Sequence, residues 1–224
     1  MRSRISRQQK ERTMTHLTRQ RPRRSVPSAK KTPNALPPVL QFTTISQFVQ
    51  LYNDSGSHAS SDGAFYRPVV PDGWFFFGDY GQRGYMPPNS SIVIVKVTSE
   101  SGAPALAAPV DWAQIWNDHG SGGDNDGSFW APVPPQGYVA CGHVIQAGYD
   151  KPAIGNSQQI ELLRCLRADL AQAVPAGALI WSDAGSGADD DVSVYSVPLI
   201  NDFVTRPYYD DPPLVYVPLA LMQP

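Results

Sequence analysis

The sequence lacks most of the features that make a function easy to read. It has two cysteines, Cys141 and Cys165, so no disulfide framework is available and two free buried thiols are expected. No apolar run approaches the ~18 residues of a membrane span. The N-terminus has no apolar stretch of the kind a secretory signal needs, so a cytoplasmic or peripheral-membrane location is expected. No glycine-rich phosphate loop precedes a helix. The Gly-Ser-Gly steps at 120–122 and 185–187 are not the G-x-S-x-G elbow of serine hydrolases. Long segments of helical period are missing too; the best helix candidate is Arg164–Val174, RCLRADLAQAV.

What is abundant is turn chemistry. The 224 residues include 22 prolines and 18 glycines, which favours many turns and short strands over long helices. Charge is split unevenly. Residues 1–37 hold 11 of the 18 Lys and Arg and one acid, Glu11, while the remainder holds 7 basic and 19 acidic residues. The basic segment has no aromatics and no apolar periodicity, so it is expected to be a disordered tail able to contact acidic partners. The acidic remainder argues against nucleic-acid binding by a folded domain at 38–224.

That remainder contains a repeat. Tyr52 starts YNDSGSHASSDGAFYRP, Trp116 starts WNDHGSGGDNDGSFWAP, and Trp181 starts WSDAGSGADDDVSVYSV, at spacings of 64 and 65 residues. Five positions recur at fixed offsets. They are the opening aromatic, an aspartate two later (Asp54, Asp118, Asp183), Gly-Ser (56–57, 120–121, 185–186), an aspartate ten later (Asp62, Asp126, Asp191) and an aromatic fourteen later (Tyr66, Trp130, Tyr195). Copies one and two continue in parallel as PVVPDGWFFFGDYGQRGYMPP and PVPPQGYVACGHVIQAGYDKP, and copy three departs. FVQLY, WAQIW, SIVIVKV and QIELLRCL read as strands, and the Asp-Gly steps before Phe65 and Phe129 as hairpin signals.

The expected fold is all-β with pseudo-threefold repeats at about 38–102, 103–167 and 168–224. It is β-prism-like, with a β-trefoil as the alternative. Copy three lacks a hairpin's worth of sequence, which the N-terminal strand Val39–Ser46 could supply. The six repeated aromatics are expected in the core.

The run FYRPVVPDGWFFFGDYGQ, then PVDWAQIWND, FWAPVPPQGYVACGHV and LLRCLRADL, resembles the vacuolar-protein-sorting-associated "sixty-two" (Vps62-like) family over most of residues 42–196. The resemblance implies a trafficking link by name and supplies no catalytic set.

Asp54, Asp118 and Asp183 read first as turn-capping residues, since Asp-x-Gly-Ser is turn chemistry by itself. Together with Asp62, Ser121, Asp124, Asp126, Ser186, Asp189 and Asp191 they form the candidate ligand-binding set. Asp124, Asp126, Asp189 and Asp191 are not required by a turn and are the candidate Ca²⁺ ligands, although no EF-hand spacing is present. His119 beside Asp118 and Ser121 invites a triad, but triads are set by spatial geometry rather than adjacency. Cys141 and His143 share a strand face with no further zinc ligands at usual spacing. The expected function is non-catalytic recognition of carbohydrate or membrane lipid through three Asp-Gly-Ser loops. The alternatives are a hydrolase using the loop aspartates and a structural or toxin-associated interaction module.

Overall fold

The computed structural model describes residues 38–99, 101–153, 159–209 and 211–223. The expectation of a disordered tail at 1–37 lies outside the described residues.

The pairings between named strands are antiparallel, and the pattern recurs in three thirds of the domain, shortened in the last. The first third runs β1 (Val39–Ile45), β2 (Phe48–Asn53), β3 (Gly63–Pro68), β4 (Phe75–Phe76), β5 (Tyr80–Arg83) and β6 (Ile92–Ser99). The second runs β7 (Leu106–Ala107), β8 (Asp111–Asn117), β9 (Gly127–Val133), β10 (Tyr138–Val139), β11 (Val144–Ala147) and β12 (Cys165–Arg167). The third runs β13 (Ala171–Pro175), β14 (Leu179–Ser182), β15 (Val192–Ser196), β16 (Phe203–Pro207) and β17 (Leu214–Pro218). One sheet in each third is ordered β2-β3-β5, β8-β9-β11 or β14-β15-β16. The other is β1-β6-β4, β10-β12-β7 or, in the third, β13-β17 alone. Among the described residues, copy three has no counterpart of β4 and β10.

Two expectations need correction. The N-terminal strand does not complete the third sheet. It pairs with β6 of its own third, from Leu40 opposite Val97 to Ile45 opposite Ile92. Only Ser46 and Gln47 separate β1 from β2, which holds β1 beside its own repeat. The segment Arg164–Val174 is not a helix. Its residues Cys165–Arg167 and Ala171–Pro175 are strands joined by a 3-10 turn at Ala168–Leu170. Leu166, Leu170 and Val174 fall at helical spacing by coincidence, and distant partners on β7, β10 and β17 claim the backbone instead.

A register shift falls at the same place in each repeat, between Gln50 and Tyr52, Gln114 and Trp116, and Leu179 and Trp181. A bulge re-aims the next side chain, and here that side chain is the opening aromatic. Tyr52, Trp116 and Trp181 are all buried, as are Tyr66, Trp130 and Tyr195. The first three share one core cluster with Phe65, Phe129 and Phe203. Those phenylalanines form a triangle of edge-to-face contacts with centroids 4.9–5.5 Å apart. Trp116 meets Trp181 edge-on at 5.7 Å and Tyr52 at 6.2 Å.

The glycine that opens β3 or β9 makes room for this layer. A Cβ on Gly127 would lie 2.3 Å from the Tyr52 ring, and one on Gly63 would lie 2.6 Å from the Trp181 ring. Gly127→Ala is therefore expected to destabilise the domain by about 3 kcal/mol, the upper range for overpacking a rigid core. A urea-unfolding midpoint unchanged from wild type would refute that packing account.

Next to this layer, three backbone bonds close a ring: Asp79 N–H to His143 C=O (2.9 Å), His143 N–H to Phe203 C=O (2.8 Å) and Phe203 N–H to Asp79 C=O (3.1 Å). Beside it sits a buried ion pair. The Arg67 guanidinium donates to both oxygens of Asp79, at 3.0 and 2.7 Å, and to the carbonyl of Ile145 at 2.7 Å. Burial pushes the Asp79 carboxyl up, against the pull of Arg67 and of the Ile145 N–H. Cys141 and Cys165 are free and buried. Among the described residues no helix is long and apolar enough to cross a membrane.

Candidate functional site

The three Asp-Gly-Ser loops have one construction. The backbone carbonyl of Asp54, Asp118 or Asp183 accepts from the N–H of Ser57, Ser121 or Ser186 at 2.8–3.0 Å. The glycine between them takes a positive φ, +82° at Gly56, +86° at Gly120 and +89° at Gly185, where an L side chain would be strained. The serine hydroxyl then accepts from the N–H two residues on, at Ala59, Gly123 or Ala188. All three serines are buried. Ser121 and Ser186 therefore serve the turn.

Each of these aspartates also binds across the loop. Asp54 Oδ1 accepts from Gly63 N–H (2.8 Å), Asp118 Oδ1 from Gly127 N–H (3.1 Å) and Asp183 Oδ1 from Val192 N–H (2.8 Å). The second interaction comes from a neighbouring repeat. The Trp181 indole donates to Asp54 Oδ2 at 2.8 Å and the Trp116 indole to Asp183 Oδ2 at 3.2 Å, while the Tyr52 hydroxyl bonds Asp118. The aromatic of each repeat thus ties the aspartate of the next one round. These inner aspartates are buried, and burial holds the carboxyls of Asp118 and Asp183 above the usual carboxylate range.

The loops themselves interlock as well, with backbone donors running round the ring in the opposite sense. Ser60 N–H donates to Ala184 C=O (2.7 Å), Asp124 N–H to Ser55 C=O (2.7 Å) and Asp189 N–H to His119 C=O (2.9 Å). Side chains repeat the links. Ser60 Oγ donates to Ala184 C=O, Ser55 Oγ to Asp124 Oδ2 at 2.9 Å, and His119 Nδ1 lies 2.7 Å from Asp189 Oδ2. His119 thus faces a carboxylate of the third loop, and the buried Ser121 hydroxyl is engaged by Gly123, so His119, Asp118 and Ser121 do not form a triad.

A third residue type completes each loop and was missed by sequence reasoning. The Tyr85 hydroxyl donates to Asp54 Oδ1 at 2.8 Å and also bonds Asp62. Tyr149 donates to Asp126 Oδ1 at 3.1 Å and bonds Asp118. Tyr209 donates to Asp191 Oδ1 at 3.0 Å and bonds Asp183. Each tyrosine bridges the inner and outer aspartates of its repeat. Burial of the hydroxyl and the adjacent carboxylates push all three phenols upward, so they remain donors. The side chains stay accessible, at 42%, 39% and 51% exposure. The signal was available in copies one and two, where Gly84-Tyr85 aligns with Gly148-Tyr149.

The remaining loop acids, Asp62, Asp124, Asp126, Asp189, Asp190 and Asp191, border this interlocked surface. Of the candidate Ca²⁺ ligands, Asp124 is engaged by Ser55, Asp189 by His119, Asp126 by Tyr149 and Asp191 by Tyr209. Among the described residues, no group of three or more His, Cys, Asp or Glu side chains is placed to hold a metal ion. His143 is half-buried, its ring Nδ1 accepts from the Thr205 N–H at 3.0 Å, and desolvation lowers its pKa to about 4. Cavities of about 50 and 170 Å³ lie elsewhere, one by Trp112 and Ile160, the other by Leu40 and Leu219.

The profile of the family described as vacuolar protein sorting-associated protein 62 matches residues 36–202. Among solved structures the chain is similar to the crystal structure of GNIP1Aa from Chromobacterium piscinae, at 31% identity and a TM-score of 0.67. The likeness covers 78% of this chain and 34% of that one, so the chain spans about a third of that protein's length. No curated protein matches the sequence.

Proposed function

The chain belongs to the vacuolar protein sorting-associated protein 62 family, and on that footing we propose that it is a non-catalytic module that binds carbohydrate through its three Asp-Gly-Ser loops. The observation that carries the reading is the threefold Asp–Tyr–Asp cluster. Each exposed tyrosine offers a ring face for the C–H face of a sugar, and the neighbouring outer carboxylates accept from its hydroxyls. In this reading the fold is β-prism-like and the loops form one pole. Three weak, equivalent sites on one rigid surface suit a branched or densely displayed glycan, because linked sites convert later contacts into intramolecular ones.

The test is a glycan array beside liposomes, with and without Ca²⁺, on wild type and on Tyr85→Ala, Tyr149→Ala and Tyr209→Ala. Each single change is expected to weaken binding to a multivalent glycan by about tenfold, and the triple change to abolish it. Binding to liposomes alone, or glycan binding indifferent to all three tyrosines, sinks the reading.

A further inference from the structure

The three repeats meet at one tight point, and they do not contribute alike. Copies one and two place Gly78 and Gly142 there. A Cβ on Gly78 would sit 2.8 Å from the Gly142 Cα, and a Cβ on Gly142 would sit 2.9 Å from the Gly78 Cα. That same Cβ would lie 3.1 Å from both Cβ and Oδ2 of Asp202, the residue copy three places at this point. The following residues, Asp79, His143 and Phe203, are the ones joined in the central backbone ring. There is room for one side chain, and it is a carboxyl.

Asp202 is fully buried, and neither carboxyl oxygen has a hydrogen-bond partner among the described residues. The groups around it offer no counter-charge. Asp79 is itself an acid, and its partner Arg67 is already spent on both Asp79 oxygens, Ile145 and Gln146. Cys141 is a buried thiol, pushed upward by its own burial and by Asp202. The His143 ring is held neutral by burial and is bonded to Thr205. An ionised carboxylate cannot be held here without a donor or a cation, whereas a protonated one can.

We propose that Asp202 is a proton-binding site at the centre of the domain, neutral at physiological pH, which makes the fold stronger in acid. In the unfolded chain Asp202 loses its proton at the ordinary aspartate pH, near 4. In the folded chain it keeps the proton far above that. The stabilisation is complete below the unfolded value and is lost as pH rises towards the folded one. His143 acts in the opposite sense: its folded value of about 4 lies below the usual 6.5, so stability falls as pH drops between those values. The two effects oppose each other from pH 4 to 6.5, and above 6.5 Asp202 acts without that counterweight.

The experiment is thermal unfolding of the full chain between pH 5 and 8.5, for wild type, Asp202→Asn and Asp202→Gly. The glycine variant restores the residue that copies one and two carry. Relative to either variant, wild type should lose about 3–5 °C of Tm per pH unit above 6.5. Below 6.5 the variants should show the fall due to His143 that wild type masks. A protonated-carboxyl infrared band at neutral pH, absent from Asp202→Asn, should accompany this. Parallel Tm profiles for wild type and both variants overturn the proposal, as does absence of the band.

Discussion

Arg67→Met is expected to destabilise the domain by about 3–5 kcal/mol, the cost of stranding a buried charge after its partner is removed. The guanidinium makes a forked contact with Asp79 and also satisfies the Ile145 carbonyl and Gln146. Methionine fills the volume and supplies none of those donors, so Asp79 must protonate or draw in water. Arg67→Lys should recover little, because an ammonium cannot reproduce the two-pronged geometry. Arg67→Met with Asp79→Asn should recover much of the loss, since asparagine removes the charge and its amide oxygen still accepts from Ile145 N–H. Urea titration of the four proteins measures this; a double variant no more stable than Arg67→Met would show that the loss is not electrostatic.

Trp181→Ala is expected to cost a similar ~3–5 kcal/mol, the range for deleting a large buried aromatic. Trp181 packs edge-on to Trp116 and Phe65, and Gly63 lies against its ring. Trp181→Phe separates packing from polarity. It keeps a ring and deletes the donor to Asp54 Oδ2, so ~1.5–3 kcal/mol is expected from the lost charged hydrogen bond. If Trp181→Phe unfolds at the wild-type urea concentration, the indole bond contributes nothing and packing alone explains the residue.

The repeated residues were legible in the sequence because each serves a need that all three repeats share. The opening aromatic fills the core, Asp54 and its equivalents close the loop base, and the Gly-Ser step makes the turn. The bridging tyrosines were harder to find. Tyr85 and Tyr149 follow their opening aromatics by 33 residues and Tyr209 by 28, so the shortened third copy breaks the register. The same shortening hid Asp202, which shares no residue type with Gly78 or Gly142 and is matched to them only by position in space. Arg164–Val174 was misread for a different reason. Local spacing favours a helix, and partners up to 60 residues away, such as Leu106 opposite Leu166, decide otherwise.

The interlocked loops also bear on how the chain can fold. A solenoid adds repeats one at a time, each touching only its neighbours, and can fray from either end. Here Trp181 reaches Asp54 across 127 positions and Ser60 reaches Ala184 across 124, so the last repeat must return to the first. Two repeats alone would expose both faces of the gap, and the entropy of closing the longest span falls on a single late event. Such a topology is slow to nucleate and leaves no stable halfway state, so the domain should form as one unit or not at all.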